Sequence, residues 1–180
     1  MQRWLNLAAV YFVAWLCALL AANNANAQVK NTYVPLGAGA QALLWEPASG
    51  EAKSPATFIL AHPSLSYMNH LTCRELAGRG FRILCVDTPF ANNRHGWESF
   101  EAHVPAIKAS VEYLRKTSAP AKIILIGYSA GGPMMTFYQN VAQNGPSVCQ
   151  GAEKLLPCAA KNLTGLPPAD GLLLDRKSVV

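Results

Sequence analysis

The chain carries the pentapeptide Gly127-Tyr128-Ser129-Ala130-Gly131 between two apolar segments. Residues 122–126 before it form a short, mostly apolar run rich in isoleucine, which is typical of a buried strand. Residues 133–143 after it predict a helix with Pro133 in its first turn, where the missing N–H is harmless. The pattern G-x-S-x-G between a strand and a helix predicts a nucleophile elbow, a tight turn that pushes its serine out above the sheet edge.

Two other kinds of turn could explain the same glycine-rich segment. One is an ordinary strand-to-helix turn without chemistry. The other is a dinucleotide-binding loop, but its pattern G-x-G-x-x-G needs glycine at the position of Ser129. Ser129 is therefore the candidate nucleophile, and its hydroxyl would face a helix start whose N–H groups favour negative charge.

Residues 1–27 are predicted to be an export signal. Arg3 supplies a positive start, residues 5–22 are apolar without a charge, and Ala25-Asn26-Ala27 is a small-x-small cleavage site. The mature chain would begin at Gln28, in the bacterial periplasm or outside the cell, with no membrane anchor. The alternative is an uncleaved anchor, since the apolar run approaches the roughly 20 residues that span a bilayer.

The last residues, 175–180, are expected to be a non-native tail. Their sequence, Asp-Arg-Lys-Ser-Val-Val, can be encoded by a common sequencing-library adapter in frame, directly after the apolar residues 172–174. The alternative is a natural polar tail.

Composition favours one globular domain over residues 28–174. Hydrophobic residues make up 51% of the chain and charged residues only 14%, which fits a buried sheet rather than disorder. The net charge is +5, but the basic residues are scattered, so no nucleic-acid surface is expected.

Four cysteines follow the predicted signal. Cys149 and Cys158 bracket a short loop that a disulfide could close, as an exported protein allows. Cys85 lies in an apolar strand and Cys73 in a predicted helix, and both are expected to be plain buried residues. The spacing of cysteine and histidine suggests no metal site, and no organic cofactor is expected.

The rest of the chain alternates strands with helices. Strands are predicted at residues 42–47, 56–61, 81–87, 122–126 and from 170; helices are predicted at 67–77, 104–116 and 133–143. This order implies an α/β fold with a mostly parallel sheet between two helical layers. Such sheets bind and react at the carboxyl ends of their strands, where Ser129, Asp87 and residues 62–66 would meet.

The sequence resembles those of the α/β-hydrolase superfamily. The resemblance rests on the elbow at residues 127–131 and on Ala61-His62-Pro63-Ser64 after an earlier strand, and it spans about residues 43–174. It implies an oxyanion hole made by the N–H of Ala130 and an N–H after His62. Pro63 stands where the superfamily often has glycine and has no N–H, so Ser64 is the expected donor and Leu65 the alternative.

The resemblance also implies a catalytic acid and then a histidine after the serine. All four histidines precede Ser129, so the catalytic histidine and the usual acid are expected to be absent from a truncated chain. Asp175 is the one candidate acid, in a position that some members use. His62 and Asp87 are expected to hold loops, and His95 to lie on the surface.

The sequence thus predicts an exported serine hydrolase of small-molecule esters, acting through an acyl-enzyme at Ser129. The 180-residue chain itself would be inactive without its base. The alternative is a non-catalytic binding protein that keeps the elbow. Thioesters, lactones and peptides remain open as substrates, and the oligomeric state is undetermined.

Overall fold

A computed structural model describes residues 28–93, 99–154 and 158–175. The predicted export signal, His95 and residues 176–180 lie outside the described residues. The strands are β1 (Val29–Pro35), β2 (Gln41–Pro47), β3 (Ala56–His62), β4 (Arg82–Asp87), β5 (Lys122–Tyr128) and β6 (Gly171–Asp175). The helices are α1 (Leu71–Gly78), α2 (Phe100–Thr117), α3 (Gly131–Asn144) and α4 (Ala160–Leu163), with 3₁₀ turns at Ala91–Asn93 and Pro146–Cys149.

The six strands form one sheet in the order β1-β2-β4-β3-β5-β6. Strands β3 to β6 run parallel, while β2 is antiparallel to both β1 and β4. The parallel register brings two pairs of terminal residues side by side, His62 with Asp87 and Tyr128 with Asp175. The carboxyl ends of β3, β4, β5 and β6 therefore share one edge.

The sheet has a hydrophobic core on each face. Alternate residues of β4 divide between them: Leu84 and Val86 pack with α2 and α3, and Ile83 and Cys85 pack with α1. This alternation is the period of two that a strand covered on both faces requires. The predicted α/β fold with a mostly parallel sheet and helices on both faces is confirmed. No helix in the described ranges is long and apolar enough to cross a membrane.

Strand β1 is an element that the sequence analysis did not find. It pairs with β2 as the outer strand of an antiparallel hairpin, and most of its side chains are exposed. Only Val34 is buried, so the segment lacks the apolar pattern by which a strand is predicted. Its partner β2, which is mostly buried, supplies the hydrogen bonds that hold it in the sheet.

Helix α1 begins later than predicted. The sequence indicated a start at residue 67, but residues 67–70 form a turn, and His70 caps the helix by accepting the N–H of Thr72 through Nδ1. Helix α2 begins four residues earlier than predicted, at Phe100 after Ser99, and accommodates Pro105. Residues 144–168, between the last predicted helix and the last predicted strand, contain the second 3₁₀ turn and α4.

The cysteines form two disulfides rather than one. Cys149–Cys158 closes its loop as predicted. The expectation that Cys73 and Cys85 are plain buried residues is wrong, because they are joined with their Cα atoms 6.4 Å apart. Both lie in the core between α1 and the sheet, so the bond ties α1 to β4. That pairing depends on which face of the sheet α1 covers, which the spacing of cysteines in sequence does not reveal.

Removing the buried disulfide is expected to destabilise the chain more than removing the other. Both close short loops, for which chain entropy gives about 3 kcal/mol. Cys73→Ala with Cys85→Ala also empties two fully buried positions, and Cys73 is one of only two residues that α1 buries. Urea unfolding of this double variant, compared with Cys149→Ala and Cys158→Ala as the matched pair, measures the difference. Equal losses in the two variants would contradict the ranking.

Candidate active site

The elbow is built as a strained turn. Strand β5 ends at Tyr128, α3 begins at Gly131, and Ser129 between them has φ +53°, which a residue with a side chain adopts rarely. Its N–H donates to the carbonyl of Asp175 at 3.3 Å, and its carbonyl accepts the N–H of Gly132 at 3.0 Å. The Ser129 side chain is exposed. Strain held at an exposed serine is typical of a functional turn.

Two glycines make this turn possible because backbone passes close to each of them. A Cβ on Gly127 would lie 2.6 Å from the Cα of Gly132, and a Cβ on Gly131 would lie 2.6 Å from the carbonyl oxygen of Ala61. The second contact places the start of α3 against the end of β3. The N–H of Ala130, a predicted oxyanion donor, therefore belongs to the segment next to the loop that follows His62.

His62 holds the first half of that loop. It is buried at the end of β3, and its Nδ1 accepts the N–H of Ser64 at 3.2 Å and that of Leu65 at 3.0 Å. The predicted role of His62, to hold the loop through hydrogen bonds, is confirmed. The expected oxyanion donor and its alternative thus converge on one acceptor atom, so the role of Ser64 as a donor to substrate stays a prediction.

Asp87 holds the second half of the loop. One carboxylate oxygen accepts the hydroxyl of Ser66 at 2.7 Å, and the other accepts the N–H groups of Tyr67 at 2.7 Å and Met68 at 3.2 Å. The predicted role of Asp87 as a loop anchor is confirmed. Its carboxylate is occupied by the loop and lies at the end of β4, which is separated from β5 by β3.

Solved esterase structures share this architecture. Brefeldin A esterase, described as a bacterial homologue of human hormone-sensitive lipase, matches with a TM-score of 0.51 and 18% identity, over 64% of this chain and 35% of that one. A bacterial heroin esterase matches with a TM-score of 0.52 and 19% identity, over 73% of this chain and 46% of that one. The esterase Est22 matches with a TM-score of 0.50 and 14% identity, over 67% and 41%.

This chain has the α/β-hydrolase fold. The matched region covers less than half the length of each of these esterases. No protein-family model matches the chain, and no curated protein matches it in sequence. At identities below 20%, these structural matches establish the fold, which the sequence resemblance predicted. The chemistry has to be argued from the site itself.

A cluster of rings that sequence analysis did not identify lies beside the elbow of this α/β-hydrolase fold. Tyr67 stacks on His70 with ring centroids 4.4 Å apart and lies 4.9 Å from His62, while Tyr128 lies 5.5 Å from His70. Burial lowers the pKa of both histidines, and for His62 the proximity of His70 lowers it further. Both imidazoles are therefore held neutral at pH 7. Tyr128 is distant in sequence from the other three rings, so only the folded edge shows the whole cluster.

Asp175, the candidate acid, ends β6 next to Tyr128. Both residues line one end of a cavity of about 260 Å³ on the α1 face of the sheet. The rest of its lining is almost entirely apolar and comes from α1 and the sheet: Phe58, Leu60, Thr72, Leu76, Phe81, Ile126 and Leu173. The structure thus places Asp175 beside the elbow, while its role as an acid stays a prediction.

The described histidines are all engaged or enclosed. Nδ1 of His62 and Nδ1 of His70 accept backbone N–H groups, and His103 is buried on α2. Among the described residues, no group of three or more His, Cys, Asp or Glu side chains is placed to hold a metal ion. The chemistry that this part of the chain offers is an exposed serine on a strained turn, flanked by backbone donors.

Proposed function

We propose that this chain is part of an exported serine hydrolase that acts on small-molecule carboxylic esters. The observation that carries the proposal is Ser129, exposed at φ +53° between β5 and α3. A serine in this position can attack an acyl carbonyl, forming the acyl-enzyme as the alcohol leaves. The matching α/β-hydrolase structures named as esterases support an ester as the substrate class.

The oxyanion of the tetrahedral intermediate would be held by backbone N–H groups. Ala130 precedes the first turn of α3, where free N–H groups and the helix dipole favour a negative charge. Ser64 supplies the second donor in this proposal, from the loop that the contact between Gly131 and Ala61 brings to the elbow. Asp175 is the candidate acid on the adjacent strand.

The general base is assigned to a histidine outside these 180 residues. His62 and His70 use Nδ1 to accept N–H groups, so the neutral ring of each carries its proton on Nε2. Neither ring therefore has a free nitrogen that could accept a proton from serine. His103 is buried. The match to less than half of each esterase is consistent with a longer parent. Export is supported by the two disulfides, which form in oxidising compartments.

A fluorophosphonate probe tests the nucleophile. The signal-free parent protein should be labelled, and Ser129→Ala should abolish the labelling. Ser118→Ala, at the far end of α2, should leave it unchanged. The 180-residue chain should react far more slowly, because losing the base lowers serine reactivity by a factor on the order of 10⁶ in a well-studied protease.

Two results would overturn parts of this proposal. Labelling that survives Ser129→Ala would place the nucleophile elsewhere. A folded parent protein that does not react at all would favour the alternative function, a non-catalytic binding protein on the α/β-hydrolase fold.

A further inference from the structure

The loop of residues 64–68 donates a hydrogen bond from every one of its residues to a side chain at the sheet edge. The first two go to His62 and the last three to Asp87. These two acceptors are neighbours, because His62 and Asp87 pair in the register of β3 and β4. The loop is therefore held from two points, and one of them, the His62 imidazole, can accept at Nδ1 only while that nitrogen carries no proton.

The contact at His62 has the form of an occupied oxyanion hole. Two consecutive backbone N–H groups, of Ser64 and Leu65, converge on Nδ1 at 3.2 and 3.0 Å. Backbone donors hold an oxyanion at about 2.7–3.1 Å, a range that includes the Leu65 distance and ends just short of the Ser64 distance. Nδ1 can accept them only when it carries no proton, so the neutral ring must be protonated at Nε2.

We propose that His62 is a positioning residue that closes the proposed oxyanion donor Ser64, and its alternative Leu65, while its imidazole is neutral and releases both when it is protonated. This inference rests on the proposed function, in which an N–H of this loop is the second oxyanion donor. In the closed state the N–H groups of Ser64 and Leu65 are satisfied without substrate.

Closure by a neutral nitrogen discriminates between stages of the reaction. The carbonyl oxygen of a bound ester is uncharged and gains little by displacing Nδ1. The oxygen that becomes negative in the transition state accepts charge-assisted hydrogen bonds, which are roughly twice as strong as neutral ones. The exchange of acceptors is therefore favoured when charge develops, so these N–H groups bind the oxygen of the transition state rather than that of the bound ester.

The groups facing His62 set when it is protonated. His70 lies at the start of α1, His103 on α2, Tyr67 on the loop itself, and the Asp87 carboxylate on the adjacent strand. Burial and His70 lower the pKa of His62, so the closed state persists at neutral pH and opens only under acidic conditions. The second half of the loop is held separately, by its contacts with Asp87.

Amide hydrogen exchange measured by NMR on the 180-residue chain tests this switch without requiring activity. At pH 8 the His62 ring should show the Nε2–H tautomer, and the Ser64 and Leu65 amides should be protected. Their protection factors, each relative to an unfolded chain at the same pH, should fall about tenfold as His62 becomes protonated, which corresponds to one hydrogen bond. The Tyr67 amide should stay protected over the same range.

Two substitutions separate switching from general loop structure. His62→Ala should remove protection of Ser64 and Leu65 at every pH. In His62→Asn the Oδ1 acceptor is bonded to Cγ, as Nδ1 is in histidine, so it can accept the same N–H groups as in an Asx turn. This variant should restore protection without the pH dependence. In both variants the Tyr67 amide should remain protected by Asp87.

Three results would overturn the proposal. They are an Nδ1–H tautomer of His62, protection of Ser64 and Leu65 that survives protonation or His62→Ala, and loss of Tyr67 protection together with theirs, which would show a purely structural role. Failure of Ser129 labelling is a separate result. It would remove the hydrolase function and leave these exchange measurements unaffected.

Discussion

Gly131→Ala is expected to lower the free energy of unfolding by about 3 kcal/mol, at the upper end of the range for inserting a methyl group into packed structure. The added Cβ would lie 2.6 Å from the carbonyl oxygen of Ala61. Both groups belong to the backbone, so no side-chain rotation relieves the overlap. The end of β3 and the start of α3 would have to separate, which also moves the loop after His62 away from Ser129.

Gly132→Ala is the matched control on the neighbouring residue. A Cβ there meets only ordinary contacts, the Gly127 carbonyl oxygen at 3.8 Å and Leu174 Cδ2 at 3.9 Å. Alanine also favours a helix over glycine by up to about 1 kcal/mol, so stability should be unchanged or raised. Chemical denaturation of both variants measures the contrast. Equal stability of the two variants would show that Gly131 is not held against β3.

The elbow could be predicted from sequence because its requirements are local. A tight turn needs glycine where backbone passes within van der Waals distance, and Gly127 and Gly131 flank the exposed Ser129 accordingly. Continuous apolar runs likewise mark β3, β4 and β5, since each is buried on both faces. Only their ends moved: β5 continues two residues beyond the prediction, to Tyr128.

The features that could not be predicted depend on which residues become neighbours across the sheet. The bond between Cys73 and Cys85 requires α1 to cover the face onto which Cys85 points. Strand β1 is held by pairing with β2 rather than by its own apolar residues. Neither fact has a signature within a short window of sequence.

The loop after His62 shows the same limit within the site. Sequence reasoning from Pro63 to the next free donors, Ser64 and Leu65, identified the two N–H groups that converge in the structure. It also indicated that His62 holds this loop, but not that both N–H groups reach Nδ1, because the rotamer of His62 depends on the surrounding rings. The local backbone constraint was predictable, and the competition between acceptors was not.

His103 gives the chain an acid-sensitive core. It is fully buried on α2, its Nδ1 has no hydrogen-bond partner among the described residues, and its ring lies 4.8 Å from that of Phe90, edge to face. Burial, and then the proximity of His62, lowers the pKa of His103 to about 4. The folded chain therefore keeps this imidazole neutral at a pH where the unfolded chain protonates it.

Stability is consequently expected to fall as the pH is lowered from about 6.5, the unfolded pKa, to about 4, the folded one. Over that range the unfolded state binds more protons, and the loss attributable to His103 is about 3 kcal/mol.

Urea unfolding at several pH values should show that His103→Leu and His103→Gln both flatten this dependence. His103→Leu should also be the more stable at pH 7, because glutamine keeps a polar group in the core. An unchanged slope between pH 6.5 and 4 in both variants would show that His103 is not the titrating group. The slope that remains is expected from His62 and His70, whose pKa values are also lowered in the fold.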